Sequence, residues 1–136
     1  MKASLKLIIR KRAKYCCEYC VAQEMFAPDP FSDEHIVPRA KEGTDDAENL
    51  ALACQRCNNL KHTFTHSIDP ATGDSAPLFN PRKDNWNTHF HWDETFSYIV
   101  GDTSTGRATI ERLQLNRPSL INLRRVFTPL GLHPPF

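Results

Sequence analysis

No apolar stretch in this chain approaches the ~20 residues needed to cross a bilayer. The run near the start, Leu7-Ile8-Ile9, is also too short for the apolar region of a secretory signal. A membrane partner is therefore not expected, and a cytoplasmic setting is. The net charge is only +1, so no global field draws the chain to nucleic acid. There is no internal repeat and no low-complexity tract, so the chain does not read as an array or a tail. No histidine is followed by x-Glu, and Ala53 rather than proline precedes Cys54, which excludes the zinc deaminase signature. A finger of two cysteines and two histidines also fails. Only 4 residues separate Cys57 from His62, where that finger needs about 12.

What the chain does have is paired cysteines. Cys17-x2-Cys20 and Cys54-x2-Cys57 have the same spacing, and 33 residues lie between Cys20 and Cys54. A C-x2-C turn aims two thiolates at one ion, so two such knuckles complete a tetrahedral zinc shell. The gap is longer than a simple ribbon needs, so something is inserted between the knuckles. Cys16 competes with Cys17 for a place in the shell. The matched spacing favours Cys17, which makes Cys16 a packed, inert thiol. The alternative to zinc is a pair of disulfides in a secreted domain, and the lack of a leader argues against it. At 136 residues and 40% hydrophobic, one domain with a modest core is expected over residues 1–136. Such a core gains from a metal staple, because metal binding free energy is folding free energy.

Residues 4–15 read as a helix with Leu5, Ile8, Ile9 and Arg12 on neighbouring turns. Phe31 to Pro38 reads as a short strand, Leu50 to Ala53 as another, and Cys57 to about Thr65 as a helix. On that helix Asn58 and His62 are i and i+4, and share a face. Ile68 to Trp86 reads as loop. Phe90–Trp92 and Phe96–Val100 read as a hairpin, and 107–116 and 118–127 as helices broken at Pro118. Local basic clusters stand at both ends: Lys2, Lys6, Arg10, Lys11, Arg12 and Lys14, then Arg112, Arg117, Arg124 and Arg125. The plain reading of each is a solvated helix face. His66, His89, His91 and His133 read as structural or exposed.

Glu34-His35, Asn49, Asn58 and His62 fall in an order that resembles the HNH endonuclease family. The matching stretches are CEYC, DEHIVPRAKEG, ENLALAC and CQRCNNLKH, across about residues 12–66. The tail from about residue 86 to 136 is similar to an extension on many small bacterial members, which points to a bacterial or phage-encoded protein. The resemblance implies an α+β fold with a ββα-metal core, stapled by the four-cysteine zinc. It implies a metal-dependent endonuclease that hydrolyses DNA phosphodiester bonds, double-stranded DNA being the expected partner. Cutting both strands with one small active site favours a homodimer. By the resemblance, His35 is the general base on water and Asn49 orients its imidazole through a hydrogen bond. Glu34 and Asn58 stand where the family binds its catalytic metal, with His62 as a further ligand. Oxygen donors suit Mg²⁺ or Mn²⁺, and His62 tilts the set toward Mn²⁺, Ni²⁺ or Zn²⁺. Arg39, Lys41, Arg56 and Lys61 surround the motif and are read as phosphate contacts, which position a backbone without reading sequence. The runner-up reading is a zinc-containing nucleic-acid-binding module without catalysis.

Overall fold

The computed structural model describes residues 2–136. Helices and short two-stranded sheets make an α+β chain that clusters into two compact units. The first runs through Thr65 and takes in Asn80–Lys83. The second comprises His66–Phe79 and Asp84–Phe136.

The first unit opens with α1 (Ala3–Arg12). Ile9 is its buried anchor, while Ile8 stays exposed. Basic residues in the last turn suit the negative end of the helix dipole. The helix stops short of the expected residue 15, because Lys14 and Tyr15 adopt positive φ. Its arginines are not simply solvated. Arg12 donates to the carbonyls of Ala47 (2.9 Å) and Leu50 (2.6 Å), and Arg10 bonds Glu24, Asp33 and the Phe31 carbonyl.

Strands β1 (Ser32–His35) and β2 (Leu50–Ala53) pair antiparallel, from Ser32 opposite Ala53 to His35 opposite Leu50. All four residues of β2 are buried, which explains its unbroken apolar run. Burying Leu50 and Leu52 contributes about 1.5–3 kcal/mol each. Helix α2 (Gln55–Lys61) follows at once. The Cys54 sulfur caps it by accepting from the Cys57 N–H. The helix ends before the expected Thr65. His62 turns out of it with φ 50°, so Asn58 and His62 do not share a continuous helical face. A buried ion pair between Arg82 and Glu18 holds Asn80–Lys83 to the first knuckle.

In the second unit, β3 (His66–Ile68) and β4 (Ser75–Pro77) form a hairpin inside a tract expected to be loop. The proline, aspartate and glycine between them make its turn. Asp69 accepts from the Ala71 N–H, and Gly73 takes φ 77°. The short α3 (Trp86–His89) leads to β5 (Phe90–Trp92), paired with β6 (Ile99–Gly101). Helix α4 (Ser104–Leu113) is capped by Thr103, and α5 (Pro118–Phe127) begins at the expected proline. Phe79, Trp86, Phe90, Trp92 and His133 pack ring on ring, with centroids 4.6–5.6 Å apart along the chain of contacts. Arg124 lies over Trp92 and donates to the carbonyls of Ser97 and Leu115. It is a buried clamp and not part of a solvated face.

Candidate metal centre and active site

The four cysteines 17, 20, 54 and 57 are buried, and their sulfurs all lie within 4.8 Å of one another. None forms a disulfide. The sulfurs of Cys20 and Cys54 are 3.7 Å apart. Four Zn–S bonds of about 2.3 Å in a tetrahedron would hold sulfurs about 3.8 Å apart, so the group fits zinc. The Cys20 and Cys57 N–H groups point back at the sulfurs of Cys17 and Cys54, which favours thiolate at each knuckle. Bonds from Cys17, Cys20 and Cys57 pull the Cys54 thiol down, while burial pushes Cys17 up. Cys16 lies outside the group. Burial pushes its thiol up to about 11, as an inert cysteine requires.

Beside α2 a groove of about 510 Å³ is lined by Lys6, Asp33, His35 and Asn58 among others. Alternation along β1 sends Asp33 and His35 to one face and Glu34 to the other. The His35 Nε2 lies 2.7 Å from the Asp45 carboxylate, which also accepts two bonds from Arg39. Those partners, His35 first, hold the Asp45 carboxyl below the usual carboxylate range. An ionised carboxylate can only accept, so Nε2 carries the proton. Nδ1 is then the acceptor nitrogen, and it has no hydrogen-bond partner among the described residues.

Asn49 differs from its expected part. Its amide oxygen accepts from the Val37 N–H, and its nitrogen donates to the carbonyls of Val37 and Thr44. It therefore holds the loop that follows His35, and not the imidazole itself. Gly43 sits in that loop, where an added Cβ would meet the Val37 carbonyl oxygen at 1.7 Å.

Glu34 also differs from expectation. Its carboxylate accepts from the Tyr19 hydroxyl at 2.7 Å and pairs with the Lys61 ammonium at 2.6 Å, all in the interior. Burial pushes its carboxyl up, and Lys61 pulls it back down. A divalent cation there would have to displace an ammonium from a dry site. The expected set of Glu34, Asn58 and His62 does not fit a divalent ion in this arrangement. Asn58 lines the groove, while His62 lies past the helix end, edge-on to Phe64.

Of the expected phosphate contacts, Arg39, Lys41 and Arg56 are exposed. Lys61 is 1% exposed and cannot reach a phosphate. Asp33, Asp45 and Tyr19 were not singled out from the sequence. Period two from His35 would have found Asp33, whereas Asp45 arrives from a distant loop and left no local signal.

A hairpin of two strands, a following helix and a four-sulfur metal group define a zinc-stapled ββα unit. Residues 17–64 match the family model described as HNH endonuclease, so the chain carries an HNH domain over that stretch. Comparison with curated proteins and with solved structures found no match.

Proposed function

We propose that this protein is an endonuclease that hydrolyses phosphodiester bonds of double-stranded DNA, with His35 as the general base. The carrying observation is the His35 imidazole at the groove, with Nε2 tied to Asp45 and Nδ1 left as acceptor. Nδ1 takes the proton of an attacking water, and Asp45 holds the ring in the tautomer that can do so. Lys6 at the groove and the exposed Arg39, Lys41 and Arg56 meet the phosphate charge. Asn49 fixes the main chain just after the base. The HNH match supports a nucleic-acid substrate and a dependence on Mg²⁺ or Mn²⁺. One observation favours the second reading, a zinc-containing nucleic-acid-binding module: Glu34 is spent on Lys61.

Supercoiled plasmid with a panel of divalent metals separates the two. The parent is expected to nick or linearise it, to stop with EDTA at a level that leaves the cysteine-bound zinc in place, and to resume with Mg²⁺ or Mn²⁺. His35→Ala is expected to keep its zinc and fold and to lose roughly 10²–10⁴-fold in rate, the usual contribution of a positioned base. Equal cleavage by His35→Ala would overturn the assignment. Binding without cleavage by the parent would leave the module as the better reading.

A further inference from the structure

Lys61 is one of the most deeply buried side chains of the protein, although it is a lysine on a short helix. An ammonium has three donors. Here it donates to the Ile36 carbonyl at 2.8 Å and to the His35 carbonyl at 3.4 Å, and its charge pairs with Glu34 Oε1 at 2.6 Å. Glu34 Oε2 takes the Tyr19 hydroxyl, and Tyr19 stands between the zinc-knuckle residues Cys17 and Cys20. A buried ion pair adds little net stability over a well-packed apolar pair, so stability alone does not account for this arrangement. Its targets do. The peptide groups it grips belong to His35 and to the residue after it. From the other side, Asn49 accepts from the Ile36 N–H through its carbonyl and from the Val37 N–H through its side chain. The main chain carrying the imidazole is clamped between α2 and the turn before β2.

We propose that Lys61 is a positioning residue for the reaction, holding the carbonyls of His35 and Ile36 so that β1 presents the imidazole at the groove, with Glu34 as the counter-charge that lets an ammonium stay buried. The proposal rests on the nuclease reading above. It gives Glu34 and Lys61 one shared task in place of a metal ligand and a phosphate contact.

The test is the double variant Glu34→Gln, Lys61→Met, which removes both charges together and strands neither. Steady-state cleavage of a short duplex is read beside zinc content, far-UV circular dichroism and the ring ¹⁵N signals of His35. Zinc and fold are expected to stay. KM is expected to hold within about twofold while kcat falls about ten- to a hundredfold, since a misplacement of about 1 Å can cost that much. The His35 ring signals shift, and those of His91, in the second unit, do not. A folded variant with parental kcat and parental His35 signals overturns the proposal. A rise in KM at constant kcat also overturns it, by making Lys61 a substrate contact. If the double variant does not fold, Lys61→Arg takes its place with the same readouts, because it keeps the charge but moves the donors. His35→Ala run in parallel isolates the other failure. If it cleaves like the parent, the assignment of His35 as the base falls, and Lys61 is judged on the ring signals alone.

Discussion

In the first unit the interior holds five cysteines, a tyrosine and a lysine–glutamate pair. In the second, five aromatic rings stack beside a buried arginine. Basic residues outnumber acidic ones in the first unit, and the reverse holds in the second. The contrast teaches where each unit finds its order. The first buries Ile9, Val21, Phe31, Ile36 and β2 around four sulfurs placed to hold a metal and polar groups with fixed partners. The second packs aromatic rings around the Arg124 clamp, with no comparable sulfur group among its described residues. The charge that a phosphate backbone would meet also belongs to the first unit.

The largest expected effect breaks the comparison at the metal. Structural zinc in small peptides contributes about 10–16 kcal/mol of apparent binding free energy near neutral pH. Stripping it, or Cys54→Ser, is therefore expected to unfold the first unit. Both tryptophans, Trp86 and Trp92, lie in the second, so their emission reports that unit alone. Circular dichroism should drop while tryptophan emission stays near its native position. Emission that shifts in step with zinc loss would show that the second unit does not stand on its own core.

A smaller effect sharpens the other side. Phe90 is buried between Phe79 and Trp86, and Phe90→Ala should cost about 3–5 kcal/mol. The tryptophan-monitored melt should fall while bound zinc per chain stays the same. Lost zinc in this variant would tie the two cores together.

The smallest effect concerns acid. Asp69 is enclosed and takes two bonds from Arg107, which hold its carboxyl down at about 2. A carboxyl lowered in the fold adds stability above its unfolded value of about 4, and that stability disappears as pH falls through the folded value. The second unit should therefore weaken between about pH 4 and pH 2. Asp69→Asn should remove that part of the slope in a tryptophan-monitored titration, and an unchanged slope would remove Asp69 from the account.

How much of this was legible follows from range. The knuckles, β2 and the helix starting at Pro118 announce themselves in a few consecutive residues, and they stand where expected. Glu34 and His35 read as one site through the family resemblance. A strand puts neighbours on opposite faces, so the Glu34 carboxylate pairs with Lys61 in the interior while the imidazole stands at the groove. Lys61 reads as a surface cation because its acceptors lie 25 and 26 residues away, where no spacing rule reaches. The β3–β4 hairpin was missed for the opposite reason: its strands are three residues each, and turn residues dominate the tract.

The loop after His35 limits which sequences this scaffold can accept. Asn49 uses both an acceptor and two donors, so aspartate would lose the donors at that position. Position 43 admits no side chain at all, since its Cβ would run into the Val37 carbonyl. Just ahead of Gly43, Arg39, Ala40, Lys41 and Glu42 are exposed. That stretch admits variation, so the loop after His35 can be rewritten, by selection or in a library, while the frame behind it stays the same.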